Sequence, residues 1–455
     1  MTQYDLLVRH GSVVTRSGPT RADLAVADGR IVAIEPELDG TTRETVDATG
    51  LHLLPGVIDA HVHLNEPGRT DWEGFASGTA ALAAGGATSC FDMPLNAHPP
   101  TLDAEAFDRK RAAGDASSLV DFGLWGGIVP GNVDHLEDLA ECGVIGFKAF
   151  MSNSGIDDFP AADDLTLLEG MANAAELGRI VAVHAESDAV TSGLARRATA
   201  EGRTGWRDYL ASRPAVAEQE AIGRAITFAE ETGCALHIVH VSTGRGIALV
   251  AEARSRGVDV SCETCPHYLV LTDEDHEHLG ALAKCAPPLR SVSNREALWG
   301  SLLAGDLPMV ASDHSPAPPD LKTGLDAFRV WGGISGAQST LPLLLTEGHH
   351  ARKVPLATIA DASAGFVARR FDLPSKGRLE IGADADFALV ALDRSWLLSR
   401  EDLHDRHRHN PYVGRNFRGR VVRTVLRGII TFIEGKIVSR PVGRLLMPAA
   451  RHSES

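Results

Sequence analysis

With 455 residues and a net charge of −16, from 44 basic and 60 acidic side chains, the chain exceeds one ordinary small domain and is too acidic to favour nucleic acid or anionic lipid as a partner. Its 44% hydrophobic content is dispersed, with no apolar run long enough for a bilayer, and the start MTQYDLLVRHGSVV lacks the basic stretch, apolar run and cleavage site of a secretory signal. A cytoplasmic protein is expected. The six cysteines (Cys90, Cys142, Cys234, Cys262, Cys265, Cys285) are sparse for this length and read as free thiols. The single Cys-x-x-Cys pair, Cys262 and Cys265, lacks a second pair or nearby histidines suited to structural zinc, so both read as buried small residues without a catalytic role.

The N-terminal part alternates short β-rich runs with turns: DLLVRHGSVV, then ADLAVADGRIVAIEP, with Asp28-Gly29 as a hairpin turn. The same texture returns in ADFALVAL, RVVRTVLRG and IITFIEGKIV, with a turn at Glu434-Gly435. Residues 1–54 and 371–455 are therefore expected to build one β-sandwich, ending in a disordered tail, LMPAARHSES. Between residues 55 and 370, short apolar runs alternate with Ala- and Leu-rich helical segments, the pattern of parallel strands joined by crossover helices. The strands read as LLPGVIDAHVH, ATSCFDMP, DFGLWGGI, VIGFKAFM, IVAVHAE, ALHIVHVS, VDVSCETCPHY and PMVASDHSP. The expected fold is α/β, a TIM-type (β/α)8 barrel with a small β-sandwich domain built from both chain ends.

In such a barrel, polar residues at the C-terminal ends of strands are the candidates for chemistry. His61 and His63 end strand one, Lys148 lies on strand four, His184 ends strand five, His240 strand six and Asp313 strand eight. Alternation along a strand puts His61 and His63 on one side, where both can reach one metal. A single such pair is weak, because a lone histidine is more often a hydrogen-bonded core residue; four histidines and an aspartate at the same ends of different strands point to metal binding. Lys148 has two readings. Burial favours its neutral amine, which can react with carbon dioxide to give a carbamate whose oxygens bind two metals; the alternative is an ion pair with Asp313 or Glu186.

The segments GVIDAHVHLNEPGR (56–69), GFKAFMSNSGIDDFP (146–160), AVHAES, HIVHVS, SCETCPHYLVL, KCAPPLR and ASDHSPAPP resemble the cyclic amidohydrolases, a likeness that runs through nearly the whole chain. The resemblance implies two divalent metal ions bridged by N6-carboxylated Lys148, one held by His61, His63 and Asp313, the other by His184 and His240. Zinc suits so many imidazoles best, with iron, cobalt and manganese also compatible. Asp313 is then the general base, and the water shared by the cations the nucleophile.

Dihydroorotases in this family usually carry an arginine where this chain has Asn65, and a histidine where it has Ala317; both would hold a carboxylate. Hydantoinases and dihydropyrimidinases usually carry a tyrosine just after the lysine, whereas the four tyrosines here are Tyr4, Tyr209, Tyr268 and Tyr412. The loop MSNSGIDDF and the segments WEGFASGT, RPAVAEQEAI, AFRVWGGISGAQ and NPYVGR resemble the allantoinase branch instead. That branch implies allantoin as the small-molecule substrate, opened at its hydantoin ring to allantoate, and a homotetramer. Asn65, Ser315 and the backbone of Trp331-Gly332-Gly333 are candidates for contacts to the ureido group, or else simply shape loops. The alternatives are a hydantoinase or dihydropyrimidinase and, in a different class, a non-enzymatic scaffold that keeps the fold but has lost the ligands. Here all six ligand positions are filled.

Overall fold

The computed structural model describes residues 3–449. Eight parallel strands follow chain order: β6 (Val57–Val62), β7 (Ala87–Asp92), β8 (Asp121–Gly127), β9 (Gly146–Phe150), β10 (Val181–His184), β11 (Leu236–Ile238), β12 (Val260–Thr264) and β13 (Met309–Val310). The ring closes where Val62 bridges His314 and the His63 amide donates to the His314 carbonyl, 2.7 Å. Every strand residue is buried, because the outer faces pack on the crossover helices and the inner faces fill the barrel, so these strands read as apolar runs rather than as alternating patterns. Trp125, Met93, Ile180, Met309 and Phe371 lie in the cluster that plugs the interior. Local signals set the helix ends: Asp103, Asp163 and Thr243 cap helices with their side-chain oxygens, and Gly233 and Gly305 end helices in the left-handed region.

The chain ends meet in one nine-stranded sheet made of β1 (Gln3–Thr15), β2 (Gly18–Ala27), β3 (Arg30–Glu35), β4 (Thr41–Asp47), β5 (His52–Pro55), β14 (Phe387–Leu397), β15 (Asn416–Leu426), β16 (Ile429–Ile433) and β17 (Lys436–Ile437). Asp28 and Gly29 turn β2 into β3, and Glu434 and Gly435 turn β16 into β17, all four at positive φ as such hairpins require. A register shift between Val8 and Gly11, with His10 at φ 62°, bends β1 so that its first half pairs with β4 and its second with β5. Hydrogen bonding is thus continuous around the corner, and Leu6, Val8, Leu24, Val26, Leu53 and Leu389 share one core. The tail expectation needs correcting for residues 446–449: the Leu446 amide donates to Phe122 O (2.7 Å) and that of Ala449 to Asp372 O (2.9 Å), which docks this stretch on the barrel. The rest of LMPAARHSES lies outside the described residues.

Candidate metal centre

Strand register brings the polar residues to one mouth. Lys148 stands opposite Ala182, two residues below the end of β10, where His184 pairs with Phe150. On β6 a register shift between Asp59 and Val62 re-aims the strand end. As a result His61 and His63 each place Nε2 3.4 Å from Asp313 Oδ1. The second group faces them: His184 Nδ1 lies 3.0 Å from His240 Nε2, and the His61 and His240 ring centroids are 5.3 Å apart. Two ligands of a tetrahedral ion at about 2.05 Å lie roughly 3.3 Å apart, so these separations suit metal donors. With Glu186 beside His184 Nε2, one proton can be shared across the His184–His240 contact, and His240 Nδ1 is left buried without a hydrogen-bond partner. His61, His63 and Asp313 form a group able to hold a divalent cation.

Burial sets the protonation states that a cation needs. It pushes His63 down, His184 to about 4 and His240 well below its ordinary value, the neighbouring His184 adding to the effect on His240. Burial opposes the ionised Asp313, but His61, His63 and His240 outweigh it and hold the carboxyl well below the carboxylate range. Lys148, fully buried, is lowered to about 7 by desolvation, with Asp313 and Glu263 opposing. Its Nζ sits 3.8 Å from the Phe150 ring centroid and donates to Ala149 O, 3.2 Å. Among the described residues it has no ion pair; Glu186 is taken by Arg213 (2.7 Å) and His184 (2.9 Å). The ion-paired reading of Lys148 therefore finds no partner here.

Several buried groups that orient the ligands escaped sequence reasoning. Glu263 lies 2.7 Å from His61 Nδ1 and 3.2 Å from His237 Nε2, so the proton on His61 Nδ1 leaves its Nε2 free for a metal. Burial raises Glu263, but the hydrogen bonds from His237 and His61 prevail and hold it at about 2. Glu186 fixes His184 in the same way, and Asn96 approaches His63 Nδ1 at 3.3 Å. A glutamate inside the otherwise uncharged run VSCETC was the available signal. So was His267, two residues after Cys265: their ligand atoms and one of Asp313 lie within 4.8 Å of one another, so the thiol has a nearby histidine after all.

The mouth opens into a cavity of about 530 Å³. Ser315 and Trp331-Gly332-Gly333 line it; Asn65 does not. The Asn65 amide instead donates to Pro316 O (3.3 Å), tying the end of β6 to the loop after β13, so its position is explained by loop shape. Gly333, at φ 117°, packs so closely that a Cβ would stand 2.2 Å from Ser315 O. Tyr209 also lines the cavity, reached from the helix Trp206–Ser212 rather than from the loop after Lys148, but its hydroxyl donates to Cys285 O at 2.9 Å.

Residues 52–438 match the Amidohydrolase family. The chain is 62% identical to an allantoinase of Rubrobacter xylanophilus over 100% of both chains, and 56% identical to one of Deinococcus radiodurans over 98% of this chain and 99% of that one. Among solved structures it is similar to the L-hydantoinase (dihydropyrimidinase) of Arthrobacter aurescens, with a TM-score of 0.95 and 33% identity over 98% of this chain and 100% of that one. A D-hydantoinase (dihydropyrimidinase) of a Thermus species superposes with a TM-score of 0.91 at 26% identity, covering 97% of this chain and 99% of that one. With this match and this site, the chain belongs to the amidohydrolase family and stands with its allantoinases.

Proposed function

We infer that the protein hydrolyses the hydantoin ring of allantoin to allantoate, a step of purine breakdown. Full-length likeness to allantoinases carries this reading, and the convergence of His61, His63, His184, His240 and Asp313 on one cavity, with Lys148 buried on the neighbouring strand, supports it. In our reading His61, His63 and Asp313 hold one divalent cation, His184 and His240 the other, and carboxylated Lys148 both; when bound, the pair acidifies a water and polarises the amide carbonyl. Asp313, ionised and facing the cavity, accepts the proton of the attacking water and passes it to the leaving ring nitrogen. Phe150, stacked on His184 with centroids 4.6 Å apart, covers the lysine and keeps bulk water from it. Ser315 and the Gly332-Gly333 backbone present polar groups to the substrate.

The donor set favours zinc. We also read the chain as residues 1–54 and 371–455 forming the sandwich around a 55–370 barrel, and the assembly as a cytoplasmic homotetramer. In keeping with this, no helix among the described residues is long and apolar enough to cross a membrane, and the six cysteines are all free.

The solved neighbours named hydantoinases favour 5-substituted hydantoins or dihydropyrimidines as the second reading. Against it, Met151, Ser152 and Asn153 follow the lysine strand with no tyrosine, and the Tyr209 hydroxyl is engaged by backbone. Ring-opening rates on allantoin, hydantoin, dihydrouracil and dihydroorotate, from one batch of counted metal content, test the choice. Allantoin is expected to be preferred with close to two metals per chain; preference for hydantoin or dihydrouracil would replace the substrate and keep the centre.

A further inference from the structure

The end of β12 supplies no ligand to the proposed pair, yet it carries a second donor group. Cys265, at the strand's C-terminal end, and His267, in the short helix Pro266–Val270, are fully buried, and their donor atoms lie within 4.8 Å of a carboxylate oxygen of Asp313. His267 Nε2 is buried with no hydrogen-bond partner, an uncommon state for an imidazole nitrogen. A thiolate, an imidazole and a carboxylate on one ion sit roughly 3.3–3.8 Å apart, so closing around a cation moves each side chain by less than about 1 Å. Of the three, Asp313 lines the cavity, which makes it the point of entry.

We propose that Cys265, His267 and Asp313 form a third cation site behind the catalytic pair, selective for thiophilic ions such as cadmium, and that filling it stops turnover. Soft thiolate selects such ions over the hard cations that oxygen donors prefer. On binding, the Cys265 S–H bond breaks, sulfur bonds to the ion, and the proton leaves to solvent. With one Asp313 oxygen already given to the catalytic cation, an ion on the other takes the place of the proton that this group must accept, which is the part of the inference that rests on the functional reading above.

The test adds cadmium chloride to the fully metallated enzyme and follows thiolate-to-cadmium charge-transfer absorption, bound cadmium per chain and allantoin turnover together. One further cadmium per chain, with the absorption band and loss of turnover rising in step, is expected. Cys265→Ser should abolish the band and leave turnover resistant, and His267→Asn should weaken cadmium binding roughly 10–100-fold; Cys285→Ser should change neither. If Cys265→Ser does not fold, Cys265→Ala and His267→Asn carry the same comparison. A band that survives in the Cys265 variants and vanishes in Cys285→Ser, or inhibition with no band and exchange of the original metals, overturns the proposal. Failure of the untreated enzyme to open allantoin would sink the substrate reading alone, because the band and the stoichiometry need no substrate.

Discussion

The two ends of the barrel both bury charge, and they solve the problem differently. At the N-terminal end, Lys376 Nζ stands 2.6 Å from Asp121 and from Asp386 and 3.1 Å from Asp384, while the Arg427 guanidinium also meets Asp121. With Arg30 3.6 Å from Asp384, three cations thus face three carboxylates, and the backbone amides of Arg427 and Arg444 supply further donors. Burial alone would lower Lys376, but the carboxylates prevail and keep it firmly protonated. This cluster is satisfied from within, and it ties β8 to the segments before β14 and after β15. At the C-terminal end the groups are not matched in this way. His184 and His240 have one shared proton between them and His240 Nδ1 has no partner, His61 and His63 crowd one carboxylate, and burial leaves Lys148 able to shed its proton. A buried polar cluster that closes on itself holds a fold together; one left short of positive charge marks the place where an external cation belongs.

This contrast can be broken most directly at Lys148. Lys148→Ala is expected to lose bound metal and turnover together, by roughly 10⁴-fold in kcat, whereas Asp313→Asn should lose comparable turnover and retain more metal. Metal analysis beside single-batch kinetics checks both, and activity surviving in Lys148→Ala would remove the bridging role. At the opposite end Lys376→Met removes the one cation shared by three carboxylates and leaves Asp386 without an ion pair, which should cost about 3–5 kcal/mol in a denaturant midpoint experiment, with the activity of the folded fraction unchanged. An accompanying fall in metal content would show that the two ends are coupled.

Smaller effects sharpen the picture. Glu263→Gln removes the anion that orients His61 and should weaken metal binding roughly 10–100-fold, read by competition with a chelator. The smallest effect is a pH dependence. With Lys148 lowered to about 7, its neutral amine grows with pH up to that value and then saturates, where an exposed lysine would still be rising. At fixed carbon dioxide pressure, reactivation of stripped, uncarboxylated protein should therefore accelerate by up to about tenfold per pH unit below 7 and level off above it. In that same stripped protein the folded state binds fewer protons than the unfolded one between pH 7 and 10.5, so its stability should rise across that window.

Much of the architecture was legible because its signals are local. Each strand of the barrel is a short apolar run between helical segments, and Asp28-Gly29 and Glu434-Gly435 are turn pairs whichever sheet they serve. The ligands were legible for a related reason: His61, His63, His184, His240 and Asp313 stand where apolar runs end. Their supporting residues were not. Glu263 meets His61 and His237 only because neighbouring strands fall into one register, and Arg213 reaches Glu186 across 27 residues. Asn65 is a further case, since only the fold shows that its side-chain amide donates to Pro316 O while its Oδ1 has no partner.

Residue order was thus enough for the eight-strand alternation, the kinship of the two chain ends and the choice of candidate ligand side chains, because periodicity, turn chemistry and strand ends are all written within a few residues. Which donor atoms face each other, which carboxylate orients which imidazole, and the meeting of Cys265 and His267 with Asp313 were decided only by the closed barrel. Those relations join residues far apart in the chain, and ring closure with a fixed strand register is what sets their distances.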